Sequence, residues 1–307
     1  MTLRSIFDNE EPRLRAGWRL LVQSVLLLFL TICAYIPLAF APRFNSSIEL
    51  LYLQVASLFG TTLSILLVRR LLDKRSFVSL GTRIDRWSLL DLLIGVGITF
   101  LMMALIFGIQ WAAGWIRFDS FAWQDQPLAG VILETLVALL TLVLVGWSEE
   151  LLSRGYQLQT LESGLNTFWA VLFSSAIFSF LHLTNPNVDS IAFVASGLFL
   201  AGIFLAFGYL RTRQLWLPIG LHIGWNFFQG VVFGFPISGL DYFHLARLQV
   251  SGPQIWTGGA FGPEAGLVLI PGMLIGFILV ALYTRNRLVV PPSRAALLKE
   301  EETQHPE

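Results

Sequence analysis

Residues 129–151 read AGVILETLVALLTLVLVGWSEEL, a largely apolar stretch that ends in two adjacent glutamates. About 20 predominantly apolar residues form a helix long enough to cross the ~30 Å hydrocarbon core of a bilayer. Seven other stretches have the same character, so the sequence predicts an all-α, polytopic transmembrane helical bundle of eight spans. The predicted spans are Leu20–Phe40, Leu50–Val68, Leu89–Ala112, Ala129–Leu151, Asn166–Leu183, Ile191–Leu210, Leu215–Phe235 and Ala265–Tyr283.

Composition supports a membrane protein and excludes several other classes. The chain has 307 residues, of which 55% are hydrophobic and 13% are charged, and its mean hydropathy is +0.69. An ordinary soluble domain has about 25% charged residues. The formal net charge is zero, which argues against nucleic acid as a partner. A single cysteine, Cys33, excludes a disulfide framework within the chain and a zinc site built from cysteines.

The positions of lysine and arginine predict the orientation, because positive loops stay on the cytoplasmic side during insertion. With eight spans and a cytoplasmic amino terminus, seventeen of the 20 basic residues fall inside. Only Arg43, Arg117 and Arg247 fall outside. The sequence therefore predicts that both termini are cytoplasmic and that the protein is a multi-pass protein of the cell membrane.

The chain divides into three predicted regions. Residues 1–128 hold the first three spans and a basic cytoplasmic loop, and residues 129–235 hold spans four to seven with most of the buried polar residues. Residues 236–307 comprise a Gly- and Pro-rich outside loop, the eighth span and a polar cytoplasmic tail that we expect to be disordered.

Ionisable residues at the end of the fourth span suggest chemistry, because desolvating such groups in a membrane is costly. Glu150 and Arg154 are four residues apart, so they share a helix face and form an ion pair. Glu149 projects about 100° away and has no such partner in sequence. A desolvated carboxylate is suited to act as a general base. The alternative is a solvated helix end at the cytoplasmic interface.

Two histidines add to this set. His182 closes the fifth span, and His222 with Asn226 occupies one face of the seventh. The alternative for His182 is a structural histidine with its hydrogen bonds satisfied. For His222 and Asn226 it is ordinary interhelical hydrogen bonding. Gly220 and Gly224 bracket His222 as a small-x-x-x-small pair, which predicts close helix packing.

An unpaired glutamate, two histidines and an asparagine are a water activator together with donors for an oxyanion, which are the parts of a hydrolase. The sequence contains no Gly-x-Ser-x-Gly elbow, His-Glu-x-x-His helix, phosphate-binding loop or dinucleotide fingerprint. Serine, classical zinc-helix and nucleotide-dependent mechanisms therefore lack support.

At these residues the sequence resembles the CPBP (Abi) family of intramembrane proteases, which includes type II CAAX prenyl endopeptidases, lysostaphin-resistance-protein-A-like proteins and bacteriocin-immunity proteins. Three short motifs match in order: two glutamates and an arginine (Glu149, Glu150, Arg154), phenylalanine and histidine (Phe178, His182), and histidine and asparagine (His222, Asn226). The resemblance extends from about Val131 to Phe233.

The resemblance implies that Glu149 and His182 activate water and that His222 and Asn226 stabilise the oxyanion. Glu150 and Arg154 would hold the site together. Zn²⁺ is an open question, with Glu149, His182 and His222 as the candidate ligands. The predicted spans conflict with this site, because they place Glu149 near the cytoplasmic face and His182 about 20 Å from that face. We expect a later or tilted fifth helix, with an interfacial segment between Leu158 and Thr167.

The leading hypothesis is an intramembrane endopeptidase, accessible from the cytoplasm, that cleaves a prenylated or otherwise membrane-associated peptide. A non-catalytic immunity or scaffold protein is the first alternative. A transporter with a buried proton relay is the second. Nothing in the sequence predicts an oligomeric state.

Overall fold

The computed structural model describes residues 14–40 and 45–287 of the chain. Its longer helices, in chain order, are α1 (Ala16–Phe40), α2 (Ser46–Leu71), α3 (Ser88–Ala112), α4 (Leu128–Gly164), α5 (Thr167–Leu181), α6 (Ile191–Thr212), α7 (Trp216–Asn226) and α8 (Leu269–Tyr283). Two strands, β1 (Ile116–Phe121) and β2 (Ala246–Val250), form one antiparallel pair. The predicted helical class is confirmed, and the small sheet was not predicted.

Six of these helices, α1 to α6, are long and apolar enough to cross a membrane, judged by length and composition within the described residues. The predicted seventh and eighth spans are also helical but shorter. The π-helical segment Phe227–Val232 continues α7, and α8 has 15 residues. Large apolar side chains such as Leu28, Phe29 and Phe180 are exposed on the outside of the bundle, as expected for helices that face lipid.

Helix α4 is much longer than the sequence predicted. The fourth span was expected to end at Leu151, but the helix continues through the wide π-helical segment Leu151–Leu158 and ends only at Gly164. The interfacial segment expected between Leu158 and Thr167 is thus mostly helical. Hydropathy misplaced this boundary because the second half of α4 is polar in sequence and is buried by other helices rather than by lipid.

The greater length of α4 resolves the conflict between the predicted depths of Glu149 and His182 in the membrane. Glu149 precedes the end of α4 at Gly164 by about 20 Å, measured along the helix. His182 follows the 15 residues of α5, which starts beside that end and runs back about the same distance. The asparagine side chain of Asn166 caps α5 by accepting a hydrogen bond from the backbone N–H of Trp169. The two site residues therefore reach one level in the bundle.

Helices α3 and α7 approach so closely that their contact requires glycine. A Cβ at Gly220 would overlap the carbonyl oxygen of Leu92, and a Cβ at Gly224 would overlap the side chain of Thr99. The predicted packing role of this glycine pair is confirmed. It fixes α7, and with it His222, in the centre of the bundle.

Candidate active site

Glu149 lies between the two histidines that the sequence singled out. Its Oε2 atom is 3.6 Å from Nε2 of His182 and 3.8 Å from Nε2 of His222. Within the described residues, this buried oxygen has no hydrogen-bond partner. Three helices, α4, α5 and α7, therefore direct a carboxylate oxygen and two imidazole nitrogens to one point.

Glu150 supports the site from behind. Its Oε1 atom accepts hydrogen bonds from Arg154 (2.9 Å) and from Nδ1 of His222 (2.7 Å). Arg154 also donates to the backbone carbonyl of Gly202 on α6. Glu150 and Arg154 are both buried, so their opposite charges compensate each other inside the protein. The predicted helical ion pair is present, and His222 is an additional partner of the same carboxylate.

Phe178 holds both His182 and Arg154 in place. Its backbone carbonyl accepts a hydrogen bond from Nδ1 of His182 at 2.8 Å. The guanidinium carbon of Arg154 lies 4.6 Å from the centroid of its ring, which is a cation–π contact. The ring also contacts the imidazole of His222 edge to face, with centroids 6.1 Å apart. Phe178 thus contacts both histidines and Arg154.

These hydrogen bonds fix the tautomers of both neutral imidazoles. Because Nδ1 of His182 and Nδ1 of His222 each donate to an oxygen, each Nε2 carries the lone pair when the ring is neutral. Both lone pairs then point at Glu149. Separations of 3.6 and 3.8 Å are too long for direct hydrogen bonds and suit a small polar molecule held between the groups.

The site opens into a cavity of about 300 Å³. Asn226, one helical turn beyond His222, lines the same cavity, so its amide and the imidazole face a common space. Several apolar side chains, among them Leu198 and Leu205, form much of the remaining wall. A volume of this size holds several residues' worth of side-chain atoms as well as water.

The lining residues that were not predicted include three polar ones from the segment between α7 and α8, namely Ser238, Tyr242 and Glu264. Glu264 is buried and accepts hydrogen bonds from Trp225 Nε1 and from the hydroxyl and backbone N–H of Ser238. Burial raises the pKa of Tyr242 above its ordinary value, and the charges of Glu149 and Glu264 add to this, so its hydroxyl stays neutral. Hydropathy could not predict these residues, because the segment that carries them is not a membrane span. An acid directly before an apolar helix was the one available clue to Glu264.

The sequence suggested Glu149, His182 and His222 as candidate ligands for Zn²⁺. Within the part of the chain that the structure describes, no group of three or more His, Cys, Asp and Glu side chains could hold a metal ion. Glu149 lies close to both of the other candidate ligands, with its Oε2 atom 3.6 Å from Nε2 of His182 and 3.8 Å from Nε2 of His222.

Comparison with known families identifies this part of the chain. The family model described as type II CAAX prenyl endopeptidase Rce1-like matches residues 131–228. The match includes all seven residues of the three motifs. Among curated proteins, none matches the chain. The chain is therefore a multi-pass membrane protein, and its residues 131–228 are similar to the Rce1-like type II CAAX prenyl endopeptidases.

Proposed function

We propose that the protein is an intramembrane endopeptidase that hydrolyses a peptide bond with water activated by Glu149 and His182. The observation that carries this proposal is the convergence of Glu149 Oε2 with Nε2 of His182 and Nε2 of His222 at the wall of a cavity. A water molecule between these atoms has a carboxylate to take its first proton and an imidazole nitrogen to accept its second hydrogen bond.

The same geometry gives each residue one task in the reaction. Water loses a proton to Glu149 while its oxygen attacks the carbonyl carbon of the peptide bond. The negative charge that develops on the carbonyl oxygen is met by the Asn226 amide and by the imidazole of His222. The carboxylic acid of Glu149 then gives its proton to the leaving amine, which completes a hydrolysis without a covalent intermediate.

His222 can donate to the oxyanion only when its ring is protonated, because Nδ1–H is committed to Glu150. Glu150 supports that form with its negative charge, and Arg154 prevents Glu150 from becoming an unpaired buried charge when His222 is neutral. Glu150 and Arg154 are therefore positioning residues. They act on the reaction through His222.

The family description names prenylated CAAX sequences, so a prenylated or other membrane-associated peptide is the proposed substrate class. The test is cleavage by purified protein in detergent of three peptides: a prenylated peptide ending in a CAAX sequence, the same peptide without the prenyl group, and an unrelated membrane-spanning peptide. We expect the wild type to cut at least one of them and Glu149→Gln to cut it on the order of 10²–10⁴-fold more slowly.

Glu49→Gln is the matched control, because Glu49 is an exposed glutamate on α2 that lies outside the site. It should cleave like the wild type. If the wild type cuts no peptide, with or without added zinc, the non-catalytic binding protein becomes the better explanation.

A further inference from the structure

Among the described residues, the segments between helices that line the catalytic cavity all come from one end of the bundle. We define the arginine-rich face as the end formed by residues 72–87, 164–167, 213–215 and 284–287, and the opposite face as the end formed by residues 113–127, 182–190 and 233–268. Asn185, Ser238, Leu240, Tyr242 and Glu264 of the opposite face line the cavity. Among described residues, none of the arginine-rich face does so.

A packed core separates the site from the arginine-rich face. Directly beyond Glu150, residues 151–158 of α4 are buried along their whole length. Leu151, Tyr156 and Leu158 are at most 1% exposed and pack in one apolar cluster with Ile65 and Leu215. Leu152 and Ser153 of this segment still line the catalytic cavity, and beyond them the core is too closely packed for a peptide to pass.

A polar layer covers this core on the arginine-rich side. Arg19 and Arg69 both bind the carboxylate of Asp73, and the Gln159 amide donates to the carbonyl of Leu80. Arg19, Arg69 and Asp73 are buried. These contacts join α1, α2 and α4 to the loop after α2. The shortest route from the cytoplasmic side is thus closed by an apolar layer and by an ion-pair network.

The opposite face offers a second cavity that leads towards the site. This vestibule, also about 300 Å³, lies between the start of α2, the first half of α4 and residues 241–243. Its lining is largely polar and includes Ser46, Ser47, Glu134 and Thr141. Tyr242 lines both the vestibule and the catalytic cavity, so its side chain is the partition between them.

From this arrangement we propose that the peptide reaches Glu149 from the face opposite the arginine-rich one, past Tyr242, which is the non-cytoplasmic side by the positive-inside rule. This inference rests on the proposed function and narrows its substrate. It also replaces the expectation of access from the cytoplasm. The substrate is a peptide that places apolar residues in the catalytic cavity and a polar end in the vestibule.

The charges of the vestibule restrict that polar end further. Glu134 and Asp241 line the vestibule, and no lysine or arginine is found among its described lining residues. A peptide whose polar end is positively charged complements these two carboxylates. Of the two proposed substrate classes, this route favours a membrane-associated peptide that is accessible from outside over a prenylated tail in the cytoplasm.

Cysteine labelling tests the route without needing a substrate. In a Cys33→Ser background, Ser47→Cys lies in the vestibule, Ser57→Cys in the catalytic cavity, and Ser76→Cys on the arginine-rich face. A charged thiol reagent that does not cross membranes is added to intact cells or to inverted vesicles, and modification is read by mass. We expect Ser47→Cys and Ser57→Cys to react in intact cells and Ser76→Cys only in inverted vesicles.

The partition is tested by changing Tyr242 in the Ser57→Cys protein. Tyr242→Ala should speed labelling several-fold and Tyr242→Trp should slow it. Tyr35→Ala, which removes a half-buried tyrosine of α1 that lines neither cavity, should leave the rate unchanged. Thermal unfolding of each variant identifies any that fails to fold.

Labelling of Ser57→Cys only from the side that labels Ser76→Cys would overturn the inference. So would the absence of its labelling from both sides while Ser47→Cys reacts, or labelling of Ser76→Cys in intact cells. Because the readout is independent of proteolysis, an inactive protein that labels as expected would reject the proposed function and keep the route.

Discussion

At the scale of single residues, one buried carboxylate organises the site. Glu150 accepts from Arg154 four residues ahead of it and from His222, which is 72 residues away. The first contact could be predicted, because helix periodicity fixes which residues share a face. The second could not, because it depends on how α4 and α7 pack. Helix geometry also predicted that Glu149 projects away from Glu150. Its proximity to His182 could not be predicted, because it depends on the true length of α4.

Removing Arg154 should leave Glu150 as a buried charge with only His222 to compensate it. We predict that Arg154→Met lowers the free energy of unfolding by about 3–5 kcal/mol. Adding Glu150→Gln to it should restore much of this stability, because the unpaired charge is gone, without restoring cleavage. Thermal unfolding and peptide cleavage of both proteins check this.

The matched control is Arg83→Met, which breaks an exposed ion pair with Asp85 on the arginine-rich face. It should change stability little, because solvent screens an exposed ion pair. Equal effects of Arg83→Met and Arg154→Met would show that the buried pair has no special role.

At the scale of elements, both helices that carry two site residues change their hydrogen bonding immediately after them. Glu149 and Glu150 are followed by the π-helical segment Leu151–Leu158, and His222 and Asn226 are followed by Phe227–Val232. Wide turns of this kind shift the face that later residues present, and they are frequent at functional sites. Hydropathy predicted where most helices lie, but it carries no information on these turns.

The contact between α3 and α7 should be the least tolerant of added volume. We predict that Gly220→Ala destabilises the protein, because the new Cβ would overlap the carbonyl oxygen of Leu92 and backbone cannot move aside as a flexible side chain can. Gly108→Ala on α3 is the control, since nothing lies within 4 Å of its Cβ.

Alanine at position 108 should be neutral or should stabilise the helix by up to about 1 kcal/mol, the usual gain over glycine. Thermal unfolding of the two variants in one detergent decides the matter. A Gly220→Ala protein as stable as Gly108→Ala would mean that α3 and α7 are not held at this distance.

At the scale of the whole molecule, the two ends of the bundle differ in charge and in structure. The arginine-rich face is closed by ion pairs, whereas the opposite face carries the two-stranded sheet, the vestibule and the inter-helix residues that line the catalytic cavity. The basic residues could be counted from sequence, and they predict the orientation. The pairing of β1 with β2 joins segments more than a hundred residues apart, so local pattern could not predict it.

Both termini should lie in the cytoplasm. We predict that alkaline phosphatase fused to either terminus in a bacterial host is inactive, because this enzyme needs disulfides that form only after export. The same enzyme inserted after Gly252, in the outside loop, should be active. Active phosphatase at a terminus would reverse the orientation and with it the side from which the catalytic cavity is reached.

The role of Glu149 as the base that activates water is tested most directly by cleavage in ¹⁸O-labelled water under single-turnover conditions. We predict that the wild type places ¹⁸O in the new carboxyl group of the peptide, that Glu149→Gln slows cleavage by on the order of 10²–10⁴-fold, and that Glu49→Gln cleaves at the wild-type rate. Cleavage by Glu149→Gln at the wild-type rate would contradict the mechanism, whatever the substrate.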